Sequence, residues 1–331
     1  MNLNNIKIYV HYILPKHLLT RAVGVLAAAK MGKFTTWLIQ QFIALYHVNT
    51  YEMYGNIEDY STFNEFFSRP LKKKARPIDE KKDSVVFPVD GTISQFGNLL
   101  ENIQLQAKGH YFSTDALLGS TEDAEFFKNG KFCTVYLSPT DYHRVHIPVA
   151  GKLLKMTYVP GELFSVNPLY VENIPELFSR NERVICLFET AYGKMAVILV
   201  GATIVRSIST AWAGIVAPNR FSEITSETYE KRNIAFEKGD EIGRFMMGST
   251  VICLFEKDMI TFDQILRESK HILMGTPMAQ LNAAPKTAKK AVTPSKVKAI
   301  AAPKAKTAKA TRTKTATTAV SKTRGRKKKS A

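Results

Sequence analysis

The sequence contains few cysteines, and they lie far apart. Cys133, Cys186 and Cys253 form no C-x-x-C pair, and each falls within an apolar run rich in β-branched residues. An odd count at such spacing argues against a disulfide framework and against a cysteine metal site. It predicts three buried, reduced side chains in a reducing compartment.

Long hydrophobic runs are also missing. No apolar stretch approaches the ~20 residues that a membrane-spanning helix needs. The N-terminal segment is interrupted by Lys7, His11, Lys16 and Arg21, so it lacks the apolar core of a signal peptide. We therefore expect a protein that is neither integral to a membrane nor secreted.

Acidic residues are absent from the last fifty positions. The chain has 46 Lys and Arg against 29 Asp and Glu, and residues 282–331 hold 16 of the basic ones, which leaves 30 against 29 in 1–281. This near-neutral remainder does not support a core that binds nucleic acid. The tail of Ala, Lys, Thr and Pro has nothing to bury and is expected to be disordered.

The composition of the tail resembles the terminal tails of linker histones. It leaves three alternatives open, namely a solvated polycationic extension, an arm for nucleic acid and a segment that binds anionic lipid. A protein defined by binding of its tail to nucleic acid or to an anionic surface is the alternative to the enzyme described below.

The first fifty residues are apolar with basic residues between. Within 35–48, apolar residues recur at helical spacing, which predicts one or two amphipathic helices in 1–50. Their apolar stripe could pack on the core or face a membrane. The basic flanks slightly favour an anionic membrane surface; they are Lys16, His17, Arg21, Lys30 and Lys33.

From about residue 83 the pattern changes to short β-branched runs broken by Gly and Pro, which is typical of strands. The runs are 84–97, 132–139, 152–161, 183–190, 195–205 and 249–257. VICLFE occurs at 184–189 and at 251–256, through duplication or, as we favour, as two buried strands of similar composition. Residues 258–274 predict a final strand or short helix, with the fold ending near Leu281.

These patterns predict an α+β protein in three parts. Residues 1–75 form an N-terminal helical region, 76–281 a β-rich catalytic domain, and 282–331 the disordered basic tail.

Three clusters carry residues suited to chemistry. Asp90 lies at the end of an apolar strand before a glycine, which alone is ordinary turn chemistry. His143 and His146 lie between prolines, so an extended segment would send them to opposite faces, with different roles and no shared metal. Gly248 before Ser249 permits close approach of an attacking oxygen, although this is not the G-x-S-x-G elbow of α/β-hydrolases.

From about residue 5 to residue 280 the chain resembles the bacterial phosphatidylserine decarboxylase proenzyme family. The family usually has Leu-Gly-Ser-Thr at its cleavage site, and this chain has Met247 in place of the leucine, a change that conserves volume. The segment 216–235 looks short for the family, and the tail lies outside the resemblance. The matching motifs are YILPKHLLTR (12–21), FNEFFSRPLK (63–72), ARPID (75–79), FPVDGTISQFG (87–97), QAKGHYFS (106–113), YLSPTDYHRVHIP (136–148), YVPGELFSVNP (158–168), LFSRNERVICLFET (177–190), ILVGATIV (198–205) and GRFMMGSTVI (243–252).

The resemblance implies self-cleavage between Gly248 and Ser249. The Ser249 hydroxyl would attack the Gly248 carbonyl, and elimination from the resulting ester followed by hydrolysis would leave a pyruvoyl group in place of Ser249. The products would be a large chain, 1–248, and a small chain, 249–331, that form a heterodimer. By the same match His146 is the base that activates Ser249, and Asp90 orients His146.

The resemblance also implies that the covalent pyruvoyl group forms a Schiff base with phosphatidylserine and accepts electrons as CO₂ leaves. The product would be phosphatidylethanolamine. His143 matches the histidine assigned to decarboxylation, and His143 or Tyr142 would return the proton. The absence of dinucleotide and phosphate-loop fingerprints agrees with a reaction that needs no external cofactor.

A lipid substrate implies a peripheral enzyme on the cytoplasmic side of the cell membrane, and a homo-oligomer stays open. A pyruvoyl enzyme acting on a soluble amino acid is the nearer alternative, and the lipid-facing N-terminus argues against it. Arg69 and Arg206 are candidate phosphate partners, although we favour surface or structural roles for both.

Overall fold

The structure is a computed structural model that describes residues 3–107, 109–203, 207–217, 223–246 and 249–282. These residues form eight α-helices and eighteen strands, which confirms the α+β prediction. Apart from Asn282, the predicted tail lies outside the described residues. The helices are α1 (Leu3–Ile13), α2 (Lys16–Ala28), α3 (Lys33–Tyr46), α4 (Phe63–Phe67), α5 (Thr114–Leu118), α6 (Thr121–Glu125), α7 (Pro168–Val171) and α8 (Leu177–Arg180).

All eighteen strands of the described residues lie from residue 84 onward. They are β1 (Ser84–Val86), β2 (Gly91–Asn98), β3 (Ile103–Ala107), β4 (His110–Ser113), β5 (Lys131–Leu137), β6 (Arg144–His146), β7 (Gly151–Val159), β8 (Arg183–Thr190), β9 (Gly193–Val200), β10 (Ile208–Thr210), β11 (Gly214–Ala217), β12 (Thr225–Thr228), β13 (Ala235–Phe236), β14 (Glu241–Phe245), β15 (Ser249–Phe255), β16 (Ile260–Phe262), β17 (His271–Ile272) and β18 (Pro277–Leu281).

The strands form four antiparallel sheets. The largest runs β12-β7-β8-β9-β15-β5-β2-β17, with β13 also paired to β7. A second sheet runs β11-β10-β14-β6, a third β1-β18-β16, and β3 pairs with β4. The six runs that the sequence predicts as strands all contain strands here, because short β-branched runs fit a pleated, half-buried surface.

Residues 1–50 contain three helices, α1 to α3, where the sequence predicts one or two. Pro15 separates α1 from α2, since a proline cannot supply the backbone N–H that a continuous helix needs. Gly32, with a φ of 56°, precedes α3 in a conformation that favours glycine. The buried residues of this region form a small apolar cluster of their own around Ile39, Phe66 and Phe67.

The repeated hexapeptide marks two strands that flank β9. Val184 of β8 and Val251 of β15 both pair with Leu199 of β9, and the same register continues residue by residue. Both copies are buried from Val to Phe. The repeat therefore reflects two equivalent positions in the centre of the sheet.

Residues 258–274 differ from the prediction. They form the short strands β16 and β17 and no helix, and the last described strand is β18, which pairs with β1 and β16.

The three cysteines are buried and free, as predicted. Among the described helices, none is long and apolar enough to cross a membrane.

Candidate active site

The site lies where the chain crosses twice between the two larger sheets. After β5, residues 138–143 lead into β6, and after β14, residues 246–248 lead back into β15. The Phe245 N–H donates to the His143 carbonyl over 3.0 Å, and Ser249 pairs with Leu137. Phe245 and Ser249, which stand on either side of the predicted cleavage bond in the sequence, therefore both contact the segment 137–143.

Ser249 is the first residue of β15, and it is fully buried. Its hydroxyl has no hydrogen-bond partner among the described residues. Gly248, the other half of the predicted cleavage site, lies outside the described residues. A buried, uncommitted hydroxyl is costly to keep, and such groups are often found where chemistry needs them.

His143 is fully buried, and its ring centroid lies 4.2 Å from that of Phe67. Its Nδ1 lies 2.8 Å from the Asp141 carbonyl oxygen, which can only accept, so Nδ1 carries the hydrogen. Nε2 is then a free lone pair with no partner in the described part of the chain. Burial lowers the pKa of His143 to about 4, so the ring is neutral at physiological pH.

His146 is also held as a neutral ring. Its Nδ1 donates to the Gly239 carbonyl oxygen over 2.8 Å, and its Nε2 accepts from the Tyr142 hydroxyl over 3.1 Å. Burial is the main cause that lowers its pKa. The basic Nε2 of His146 is therefore occupied by Tyr142, a partner that the sequence did not indicate.

Asp90 is bound by Arg76. Arg76 Nε lies 2.8 Å and 2.9 Å from the two carboxylate oxygens, and Nη2 lies 2.6 Å from Oδ2. The Met274 backbone N–H donates to Oδ1 over 2.8 Å. Burial alone would lower the pKa of Arg76, but hydrogen bonds to Asp90 and Glu52 raise it.

The structure thus brings Asp90, His146 and Ser249 to one region without joining them in a hydrogen-bonded triad. The His146 N–H donates to the Pro88 carbonyl over 2.8 Å, two residues before Asp90. In the described part of the chain, however, no hydrogen bond joins the His146 ring to Asp90 or to Ser249. The physical reason is competition, since the Arg76 guanidinium and the Gly239 carbonyl already satisfy the two groups.

The site also draws on the C-terminal segment. His271 Nε2 lies 3.0 Å from Asp141 Oδ1, while Asp141 Oδ2 accepts from the Ser138 backbone and hydroxyl. These bonds fix the loop that carries His143. No group of three or more His, Cys, Asp and Glu side chains within the described ranges is placed to hold a metal ion.

Sequence reasoning missed Arg76, Tyr142 as a partner of His146, Gly239 and His271. Arg76 lies within ARPID, a motif that carried the resemblance without a role. The signal for it was an arginine only 14 residues before Asp90. Gly239 acts through its backbone, and His271 lies 130 residues from its partner, so neither left a local signal.

Comparison with known proteins gives the same family throughout. The family model described as phosphatidylserine decarboxylase matches residues 63–280, and a second, described as PSD, matches residues 6–47. A phosphatidylserine decarboxylase proenzyme of Alteromonas mediterranea is 51% identical over 296 residues, covering 88% of this chain and 90% of the relative.

Relatives with the same name from Vibrio parahaemolyticus and Shewanella woodyi are each 50% identical, over 282 and 285 residues. Each match covers 84% of this chain and 99% of the relative. Identity of this extent over nearly the whole of each relative is far beyond a shared fold alone. The chain therefore belongs to the phosphatidylserine decarboxylase family.

Proposed function

We propose that this chain is a phosphatidylserine decarboxylase proenzyme, a carboxy-lyase that cleaves itself between Gly248 and Ser249. The observation that carries the proposal is the Ser249 hydroxyl, which is fully buried and uncommitted at the start of a central strand. Two buried histidines lie on the adjoining segment that ends in β6. The names of the relatives supply the substrate.

In the first reaction Ser249 Oγ gives up its proton and attacks the Gly248 carbonyl carbon. The peptide C–N bond breaks as the Ser249 nitrogen takes up that proton, and an ester forms. The serine needs a base, because its hydroxyl is a weak nucleophile until the proton is removed. His146 is the base of this proposal. Because the Tyr142 hydroxyl donates to His146 Nε2, either this hydrogen bond must break or Tyr142 must relay the Ser249 proton to Nε2. The charge of Asp90 favours the protonated His146 that results.

The residues present fit a pyruvoyl group, since the only precursor it needs is a serine whose hydroxyl is not tied up in structural bonds. When formed, the group supplies an electron sink for loss of CO₂. His143 would move the proton that replaces the carboxylate. Its Nε2 has a lone pair with no partner among the described residues, so it can take a proton from the substrate ammonium and return it to the carbon that loses CO₂. Burial by Phe67 keeps water from this atom.

The two chains of the proposal would stay together after cleavage. β15 pairs on one side with β9 and on the other with β5, while β17 pairs with β2 and β18 with β1. All of these partners lie in the proposed large chain. Breaking one peptide bond at the start of β15 leaves every one of these ladders intact.

We further propose that α1 to α3 bind a membrane surface. Large apolar side chains are exposed along them, including Tyr9 at 71%, Ile13 at 76% and Leu45 at 72%. Such exposure is typical of an interaction surface. Four of the basic flanks, His17, Arg21, Lys30 and Lys33, are also exposed, whereas Lys16 is buried against Glu162 and drops out of this surface.

The membrane proposal is tested with vesicles of anionic phospholipid. Changing Tyr9, Ile13 and Leu45 together to Ser should remove most co-sedimentation. The matched control changes Leu100, Ile215 and Ile265, which are similarly exposed on the β-rich part, and should sediment like the unmodified chain. Equal binding by both triple variants would contradict a membrane surface on the helices.

The activity is tested by conversion of phosphatidylserine to phosphatidylethanolamine with release of CO₂. Ser249→Ala, which keeps the strand and removes the hydroxyl, should abolish both cleavage and turnover. Ser84→Ala, at another buried strand serine, should retain both. Turnover by the Ser249→Ala variant would overturn the proposal.

A further inference from the structure

Arg69 is a buried cation without a counter-charge. Three cations are buried among the described residues, namely Lys16, Arg69 and Arg183. Lys16 lies 3.6 Å from a carboxylate oxygen of Glu162 and donates to the His11 carbonyl. Arg69 is 3% exposed, and in the described part of the chain no carboxylate lies within salt-bridge distance of it.

Arg183 shows how this fold satisfies a buried guanidinium when the role is structural. Each of its three nitrogens donates to backbone carbonyls of residues 116, 117, 179 and 181, over 2.6 to 2.8 Å. Arg69 differs, because only Nη2 donates, over a long 3.3 Å, to the Thr140 carbonyl. Its Nε and Nη1 have no acceptor among the described residues.

An arrangement of this kind is expensive in free energy. Burial lowers the pKa of Arg69, but a guanidinium remains charged at any physiological pH. Leaving a buried charge unpaired costs several kcal/mol. A purely structural arginine would be expected to donate to carbonyls as Arg183 does. The unsatisfied guanidinium of Arg69 is instead suited to binding an anionic ligand.

The position of Arg69 is next to the reacting groups. It follows the end of α4, where Phe67 contacts the His143 ring and the Ser68 carbonyl accepts from Arg144 over 2.9 Å. Arg69 itself reaches Thr140, within the loop that connects Ser249's neighbour, Leu137, to His143. The two nearby acids are already engaged, Asp90 by Arg76 and Asp141 by Ser138 and His271.

We propose that Arg69 binds the phosphodiester of the substrate headgroup. The inference rests on the proposed function, since it takes its substrate from there. Phosphatidylserine offers two anionic groups, and a guanidinium suits both. The carboxylate loses its charge as CO₂ leaves, so holding it by Arg69 would stabilise the ground state over the transition state. The phosphodiester keeps its charge throughout the reaction, so its binding opposes no step.

The test uses the processed two-chain enzyme and phosphatidylserine dispersed in neutral detergent. Arg69→Gln should raise KM by about tenfold or more, as expected for loss of a charged hydrogen bond, with kcat changed by less than about threefold. Arg69→Lys, which keeps the charge, should fall between. Arg144→Gln is the matched control, because its guanidinium lies at the same junction but is already paired with Glu241.

Two soluble competitors separate the anionic groups. Glycerophosphoethanolamine carries the phosphodiester without the carboxylate, and serine carries the carboxylate without the phosphodiester. Arg69→Gln should weaken inhibition by the first about tenfold and leave inhibition by the second unchanged. Weaker inhibition by serine alone would assign Arg69 to the carboxylate and overturn the proposal.

The remaining outcomes are also decisive. A fall in kcat with unchanged KM would give Arg69 a structural or electrostatic role and overturn headgroup binding, as would an unchanged KM in Arg69→Lys and Arg69→Gln. If Arg69→Gln does not fold or process, Arg69→Lys with both competitors carries the test. An unmodified chain that neither cleaves nor turns over would instead defeat the proposed function, which separates the two failures.

Discussion

Arg76, to which the sequence analysis assigned no role, pairs with two carboxylates in the structure. It binds the buried carboxylate of Asp90 through two nitrogens and also lies 2.9 Å from Glu52, in the N-terminal region. One side chain therefore joins the N-terminal region to the proposed self-cleavage site. Removing one partner of a buried pair leaves an uncompensated charge, which is far more costly than losing an exposed pair.

Arg76→Gln should accordingly lower the free energy of unfolding by about 3–5 kcal/mol and slow self-cleavage. Urea unfolding is measured in the uncleavable Ser249→Ala background, so that processing does not confuse the comparison. The control is Arg232→Gln, which breaks the exposed pair with Glu227 and should cost at most about 1 kcal/mol. Equal effects of the two changes would contradict a special role for Arg76.

Three buried histidines make stability depend on pH. Burial lowers the pKa of His11, His143 and His146 below the ordinary histidine value of 6.5. Below pH 6.5 the unfolded chain binds protons that the folded chain does not. The free energy of unfolding therefore keeps its full value above that pH and falls on acidification. The contribution of His143 to this fall is complete by about pH 4.

Urea midpoints of the Ser249→Ala chain should thus fall steadily between neutral pH and about pH 5. His11→Gln should flatten the profile, because the His11 Nε2 that accepts from the Ser165 N–H would no longer titrate. His17→Gln, at an exposed position of the same helical region, should leave the profile as it is. A midpoint independent of pH over this range would contradict the assignment of neutral, buried rings.

At the residue scale, the sequence predicted the chemical groups of the site but not their hydrogen bonds. Asp90, His143, His146 and Ser249 all lie in one region, yet the partner of Asp90 is Arg76 and that of His146 is a backbone carbonyl. Residue types along a chain do not report which of several acceptors a ring nitrogen reaches. That choice depends on packing between distant segments, here between 239 and 146.

Among the elements, β15 matters most for the proposed cleavage, because it begins at Ser249. It lies between β9 and β5 in the largest sheet, and every residue in it is buried. The sequence predicted the strand from its β-branched run and its edge at Ser249. It could not predict that the two VICLFE copies flank one strand in the same register, because the pairing joins residues as far apart as Met195 and Phe255.

This position predicts that cleavage does not separate the chains. The processed protein should elute as a single species in native size exclusion and resolve into two chains only in denaturant. Processed and Ser249→Ala proteins, compared side by side, should have the same native elution volume. Release of the small chain under native conditions would contradict the central placement of β15.

Gly91 sets how closely β2 approaches β5. It has a φ of 155°, and a Cβ built on it would lie 2.3 Å from the Tyr136 carbonyl oxygen, which is backbone and cannot yield cheaply. Gly91→Ala should therefore displace the strand that begins beside Asp90 and lower stability by several kcal/mol. Gly97→Ala is the control, because Gly97 lies in the same strand with a similar φ of 158° and the nearest atom to the added Cβ is 3.8 Å away. Equal thermal midpoints would contradict the close approach.

For the whole molecule, about a sixth of this chain has no counterpart in the Vibrio and Shewanella relatives, and the basic tail, residues 282–331, is a segment of about that length. Matches to the Vibrio and Shewanella proteins cover 99% of those chains but only 84% of this one. The charge of the tail suits an anionic surface, with about 1 kcal/mol from each Lys or Arg near a membrane. The folded part, by contrast, is close to neutral.

A chain that ends at Leu281 should therefore keep its turnover on detergent-dispersed phosphatidylserine and lose affinity for anionic vesicles. The loss should be largest at low salt, since added salt screens the tail. The full chain on neutral vesicles is the control. A drop in detergent turnover on truncation would show that the tail takes part in the chemistry.

The most direct test of the account is the intact mass of the purified, denatured protein. We predict two species. One is residues 1–248, and the other is residues 249–331 with a mass lower by one ammonia than that of a chain starting with serine. Ser249→Ala should give a single species of full length. A single 37.1 kDa species from an unmodified chain that is folded and incubated to completion would contradict self-cleavage at Gly248–Ser249.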